Sequence, residues 1–139
     1  VMGLYLAYDR GAETAILVDN NGNIAEGPGF NVFTVKDGAI STPDHGVLMG
    51  ITRQTVIEIC AAMKISCVKR AISPDELRTA DEVFITSTAG GVMPVTKIDE
   101  TPIGSGLVGS LTTQITKSYW QMHEQGESRT AIRYPANAS

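Results

Sequence analysis

Glu26-Gly27-Pro28-Gly29-Phe30-Asn31 places a carboxylate beside two glycines. Leu48-Met49-Gly50-Ile51-Thr52-Arg53 follows, and then Thr86-Ser87-Thr88-Ala89-Gly90-Gly91. A carboxylate in a niche where glycines admit a ligand can pair with a protonated ring nitrogen and favour the cationic ring. Gly50-Ile51-Thr52 opens a helix. The first N–H groups of a helix have no intrahelical partners and carry the positive end of its dipole. A phosphate docks well there, with the Thr52 hydroxyl as an extra donor. Thr86 to Gly91 ends a strand in hydroxyls and glycines, which can form an anion nest. Together the stretches describe a socket for a small phosphorylated, cationic aromatic ring. Each has a plainer alternative. Glu26 could be a solvated glutamate in a hairpin, Thr52 an N-cap, and 86–91 an ordinary polar turn. Arg53 reads as a surface or structural ion-pair residue, His45 as a loop histidine, Phe30 and Leu48 as core.

The elements that must position these residues follow from pattern. Met2 to Arg10 reads as a helix stopped near Gly11. Thr14 to Val18 is short and apolar and reads as a buried strand, followed by the turn Asp19 to Asn23. Asn31 to Lys36 alternates as a strand, and Asp37-Gly38 turns it back into Ala39 to Ser41. A helix runs from Gly50 to about Lys64, with Val56, Ile57, Cys60, Ala61 and Met63 as its apolar stripe. Ile65 to Ala71 reads as a strand. Ser73-Pro74-Asp75-Glu76 is a capping box that opens a short helix to about Arg78. Glu82 to Thr86 is a strand aimed into the Thr/Gly turn, and Gly91 to Ile98 returns as another. Leu107 to Glu124 is a final amphipathic helix, and 127–139 is a tail without clear pattern. Strict βαβ alternation is absent, so the expected class is α/β with a mixed sheet or partly closed β-barrel flanked by helices.

Composition bounds the function. The 139 residues suffice for one domain with a real core. A net charge of -4 offers no basic stripe for nucleic acid. No apolar run approaches the roughly 20 residues that span a bilayer, and Asp9, Arg10 and Glu13 come too early for a signal peptide. Cys60 and Cys67 lack disulfide-scaffold density and metal-ligand spacing, and read as reduced core residues of a cytoplasmic protein. His45 and His123 are too few for a multi-histidine metal site, and no metal is expected. The dinucleotide and phosphate-loop glycine motifs are absent. Val1 is no initiator, and the first helix has no cap ahead of it, so the chain is expected to be the C-terminal part of a longer polypeptide.

The order and spacing of the motifs resemble the class IV aminotransferases, the fold-type-IV pyridoxal-phosphate (PLP) enzymes. The resemblance runs from about Ala15 to Tyr119. It passes through Leu17-Val18-Asp19, Glu26 to Asn31, Val35 to Gly38, Thr42-Pro43, Leu48 to Arg53, Asp81 to Phe84 and Thr86 to Pro94. Gly29-Phe30-Asn31, Ala89 to Pro94 and Tyr119-Trp120 resemble most the (R)-selective amine transaminases. Branched-chain and D-amino acid aminotransferases are the alternative, and a non-catalytic anion-binding module is a second. The resemblance implies that residues 1–126 are the cofactor-binding C-terminal domain of a D-amino acid aminotransferase-like enzyme. Glu26 would bind the pyridine nitrogen. Ile51 and Thr52 would hold the phosphate, joined by Thr88 and, in second rank, Ser87. Leu48 would pack on the ring face. Phe30, Ala89 and Gly90 would shape the substrate pocket.

In that family the Schiff-base lysine lies upstream of the glutamate motif. No lysine precedes Lys36 here. Lys36, Lys64, Lys69, Lys97 and Lys117 all fall at polar positions unsuited to a desolvated nucleophile. The lysine is therefore expected upstream of Val1, no catalytic residue in this chain, and the 139 residues alone inactive. The expected activity of the full enzyme is transfer of an amino group between an (R)-amine and a keto acid such as pyruvate. The resemblance also implies a homodimer.

Overall fold

The computed structural model describes residues 2–126. Helix α1 (Met2–Asp9) leads through an irregular stretch to strand β1 (Glu26–Gly27). Thr14 to Val18, expected as a strand, forms no continuous strand: its pairing is confined to the isolated bridge between Val18 and Ile24 and to the backbone bonds of Leu17 with Ala25 and Glu26 (both 2.9 Å). The Asp19 carboxylate accepts from the N–H groups of Asn21 (2.8 Å) and Asn23 (2.9 Å) and closes the turn that follows.

Strand β2 (Phe30–Lys36) and strand β3 (Ala39–Thr42) form the expected hairpin. Asp37 (φ 49°) and Gly38 (φ 76°) supply the left-handed turn that matches strand twist. Asp81 steadies it, accepting from the Asp37 N–H (2.8 Å) and from Lys36 Nζ (3.0 Å). Helix α2 (Ile51–Ala62) buries Val56, Ile59 and Cys60. It stops short of Lys64, which sits at φ 58° while Ile65 N–H returns to the Cys60 carbonyl. Strand β4 (Cys67–Lys69) is shorter than expected and runs parallel to β3, so α2 serves as the crossover that parallel pairing requires.

Helix α3 (Pro74–Arg78) carries the full Ser73/Glu76 capping box. Strands β5 (Glu82–Ser87) and β6 (Gly91–Val95) form the next hairpin. The expected single strand to Ile98 is divided. Strands β7 (Lys97–Ile98) and β8 (Thr101–Pro102) make a separate hairpin around Asp99 (φ 46°) and Glu100 (φ 65°). Helix α4 (Ser110–Gln125) ends at Gly126, φ 70°. The expected tail 127–139 lies outside the described residues. Among the described residues no helix is long and apolar enough to cross a membrane.

The sheet order is β4-β3-β2-β5-β6, with β1 also paired to β2. It mixes parallel and antiparallel pairs and stays open, so of the two expected forms it is the mixed sheet. One face holds Phe30, Val32, Val83 and Ile85 against Ile72, Leu77 and Ile103. The other holds Phe33, Val35 and Phe84 against Val56 and Cys60 of α2 and Ile115 of α4. Phe33 and Phe84 stack with centroids 4.8 Å apart. Cys60 and Cys67 are free thiols that pack beside one another. The neighbouring Cys67 and burial push the Cys60 thiol up, well away from ionisation.

Helix α4 begins three residues later than its apolar pattern suggests, because its cap comes from across the fold. The Glu82 carboxylate accepts from Leu111 N–H (3.1 Å), Thr112 N–H (2.7 Å) and Thr112 Oγ1 (2.7 Å). Glu82→Ala is expected to destabilise the protein by about 2 kcal/mol through loss of this cap at the helix N-terminus. Urea unfolding of the full-length protein checks it, and an unchanged midpoint would contradict the capping role.

Candidate functional site

Strand register assembles the site. Glu26 opposes Asn31 across β1 and β2, and Asn31 opposes Thr86 across β2 and β5. Directly opposed residues share a face. The row continues on the face of Phe33 and Phe84, the face covered by α2. The start of α2 therefore comes down beside this polar row. A cleft of about 160 Å³ lies between them.

The turn that presents Glu26 is Gly27-Pro28-Gly29-Phe30. Proline suits its first central position, and the second needs positive φ, which Gly29 supplies at 83°. Gly27 is required for another reason, since a Cβ there would run into the Phe30 ring. Glu26 is half-buried, and its Oε2 accepts from Leu48 N–H (2.9 Å) and Asn31 Nδ2 (3.4 Å). Among the described residues Oε1 accepts no hydrogen bond.

At the other end, Gly50 is the N-cap of α2 and makes no side-chain cap. Thr52 is thus not the N-cap but the second helical residue, buried at the cleft, while Ile51 is exposed at its mouth. The N–H groups of Ile51 and Thr52 have no acceptor within the helix, as helix geometry dictates. Thr86 adds a pronounced signal. It is 1 % exposed, lines the cleft, and its Oγ1 is a buried side-chain atom without a hydrogen-bond partner. Burying a hydroxyl unpaired costs roughly 1–3 kcal/mol, so such an atom calls for a ligand partner.

The cleft gathers Glu26, Phe30, Leu48, Ile51 and Thr52 with Ser87 and Thr88. Ala89 and Gly90 stay outside it, in the turn between β5 and β6. There the Gly90 N–H donates to Ser87 Oγ (3.0 Å). Leu48 is 73 % exposed at the rim rather than core. Phe30 is core, as expected, and also lines the cleft. Among the described residues no lysine lines the cleft, and Lys36 is taken up by Asp81 and the Thr79 carbonyl.

Arg53 departs from its sequence reading. It is neither at the surface nor in an ion pair with a carboxylate among the described residues. At 2 % exposure, it donates from Nη2 to the Pro43 carbonyl (2.7 Å) and from Nε to Thr42 Oγ1 (3.4 Å). Burial pulls its basicity below the ordinary arginine value. His45 is an exposed loop residue, as expected, and its Nδ1 lies 2.8 Å from Asp44 Oδ1. Asn31, Thr86 and Gly50 lie within the three stretches read as a socket, Thr86 among the hydroxyls of the anion nest and Gly50 at the helix start, but none is singled out there as a contact. A signal exists for the first two, since each is polar in a strand of otherwise apolar, β-branched character.

The chemistry of this donor set suits an elongated ligand. One end meets a carboxylate oxygen ready to accept from a cation. The other meets free helix N–H groups and hydroxyls that suit an anion.

Comparison with known proteins gives concordant results. Residues 1–98 match the family model described as amino-transferase class IV. A branched-chain-amino-acid aminotransferase of Pseudomonas aeruginosa is 38% identical over 123 residues, covering 88% of this chain and 40% of that protein. A probable branched-chain-amino-acid aminotransferase of Aquifex aeolicus is 42% identical over 113 residues, covering 79% of this chain and 36% of that one. The crystal structure of a T.th. branched-chain amino acid aminotransferase with pyridoxamine 5'-phosphate superposes with a TM-score of 0.87 at 37% identity. It covers 91% of this chain and 43% of that chain. The chain thus spans about two fifths of the length of these relatives.

Proposed function

We propose, from the premise that this chain belongs to the amino-transferase class IV family, that it is the cofactor-binding part of a PLP-dependent aminotransferase for branched-chain amino acids. The observation that carries the reading is the convergence of Glu26, the uncapped start of α2 and the unpartnered Thr86 hydroxyl on one cleft. The choice of substrate rests on the relatives, which carry the branched-chain name. The (R)-amine reading drawn from Gly29-Phe30-Asn31, Ala89 to Pro94 and Tyr119-Trp120 becomes the second one. Ala89 and Gly90 lie outside the cleft and give it no direct contact.

PLP, when bound, supplies an electron sink for the bond-breaking at the amine carbon. The residues here hold and tune it. Glu26 Oε1 accepts the ring N–H and keeps that nitrogen cationic. The N–H groups of Ile51 and Thr52, with the Thr52 and Thr88 hydroxyls and Ser87 beside them, receive the phosphate at the helix N-terminus. Leu48 at the rim covers a ring face and excludes water from it. The lysine that moves the proton belongs to the remainder of the polypeptide, and the working enzyme is a homodimer of the full chain.

The test uses the full-length protein loaded with PLP. Leucine, isoleucine and valine should transfer their amino groups to a keto acid faster than (R)-1-phenylethylamine does to pyruvate. Rapid turnover of the aryl amine with none of leucine reverses the substrate order. Failure to take up PLP at all defeats the cofactor reading.

A further inference from the structure

Asn31 lies between the two ends of the cleft. It is 5 % exposed, in the middle of the row Glu26–Asn31–Thr86. Its Nδ2 donates to the Leu48 carbonyl (3.0 Å) and to Glu26 Oε2 (3.4 Å). A carbonyl and a carboxylate only accept, so the amide must present its nitrogen to both. Leu48 N–H in turn donates to the same Glu26 oxygen (2.9 Å). Both backbone polar groups of Leu48 are therefore engaged by the Asn31–Glu26 pair. Asn31 Oδ1 faces Gly50, where a Cβ would collide with it. Gly50 is the N-cap of α2. One amide thus touches the carboxylate at one end and, through Leu48 to Gly50, the loop that sets the helix at the other.

We propose that Asn31 is a positioning residue that locks the Glu26 carboxylate and the Leu48–Gly50 loop into one unit. It fixes which carboxylate oxygen faces the ligand and how far that oxygen stands from the α2 N-terminus. The proposal rests on the PLP reading of the cleft. Both chain donors converge on Oε2, so Oε1 is the oxygen offered to a ring N–H. Without Asn31 the carboxylate keeps only the Leu48 contact and can rotate. The loop then loses its link to the sheet through the Leu48 carbonyl.

The experiment is a double-mutant cycle in the full-length protein, with the PLP dissociation constant read by absorbance titration of the cofactor-free form. Turnover and the thermal midpoint without cofactor are read beside it. Asn31→Ala should weaken PLP binding about tenfold, the scale of a lost hydrogen bond to a charged group. Asn31→Asp keeps the side-chain shape, so it serves if the alanine variant does not fold. It should weaken binding more, because it sets a second carboxylate against Glu26. In a Glu26→Gln background the two Asn31 variants should each cost less than in the parent, because the part that acts through the carboxylate is already lost while the link to the Leu48 carbonyl is not. Asn31→Asp should lose there the extra cost of facing the Glu26 charge, while still opposing the Leu48 carbonyl. Full multiplication of the Asn31 and Glu26 effects overturns the proposal. So does an Asn31→Ala variant that lowers only the thermal midpoint. A Glu26→Gln variant indistinguishable from the parent instead removes the assignment of Glu26, and the role of Asn31 with it.

Discussion

Glu26→Gln in the full-length enzyme is expected to lower turnover about a hundredfold while PLP still binds at saturating concentration. The size follows from losing a charge-assisted hydrogen bond worth up to about 3 kcal/mol. The geometry makes the substitution more severe than a loss of charge. Leu48 N–H and Asn31 Nδ2 both need an acceptor at the Oε2 position. The glutamine carbonyl is therefore held there, and its NH2 group is turned toward the ring nitrogen. A donor then faces the site where the parent enzyme offers an acceptor, and the ring nitrogen is held unprotonated. Proton removal from the amine carbon slows because the ring is a weaker sink. Binding falls only about tenfold, since the contacts at the start of α2 are untouched. Steady-state kinetics with a PLP titration on the same preparation checks both numbers. Unchanged turnover would take Glu26 out of the mechanism.

Arg53→Ala is expected to cost about 3 kcal/mol of stability, from a buried charged donor and its packed stem. The guanidinium fills a place where almost nothing is solvent-exposed. Its donors satisfy the Pro43 carbonyl (2.7 Å) and reach Thr42 Oγ1 (3.4 Å) and Met49 Sδ (3.9 Å). Thr42 Oγ1 also donates to the Val32 carbonyl (2.8 Å), which ties this cluster to the central strand. Arg53 therefore pins the first turn of α2 to the end of β3 and the loop that follows. Its removal strands the Pro43 carbonyl and loosens the helix start proposed to receive the phosphate, so PLP affinity should fall as well. Arg53→Lys keeps the charge but not the planar fork, and should recover only part of the loss. Urea unfolding of the full-length protein, with and without PLP, separates the two effects. A change below about 0.5 kcal/mol would mean that Arg53 is no pin.

Local signals are legible in the sequence where they are strong. The Ser73/Glu76 capping box, the Asp37-Gly38 turn and the alternation of β2 give their elements nearly to the residue. Boundaries escape where distant groups decide them. The start of α4 depends on Glu82 of β5, which no window around Leu107 contains. The apolar run Thr14 to Val18 looks like a strand, but its pairing is confined to Leu17 and Val18. Among the residues of the cleft, Glu26, Ile51 and Thr52 stand out in the sequence because glycines flank a carboxylate and a hydroxyl lies in the first turn of a helix. Asn31 and Thr86 fall in the same stretches, but their adjacency arises only when register sets them side by side across the sheet. Arg53 misleads because a lone arginine on a helix looks solvated unless its carbonyl partners are known.

The place of β5 beside β2, rather than at an edge, governs the order in which the socket can come into being. β2 and β3 are joined by a tight turn and can pair early, whereas β2 with β5 must close a long loop that holds β3, α2, β4 and α3. During synthesis, Glu26 and the start of α2 leave the ribosome well before Thr86 does. The nascent chain therefore exposes a carboxylate and a helix end with no wall between them. Only the distant pairing of Asn31 with Thr86 closes that wall, so a ligand retained in the cleft reports that the most remote strand contact has formed.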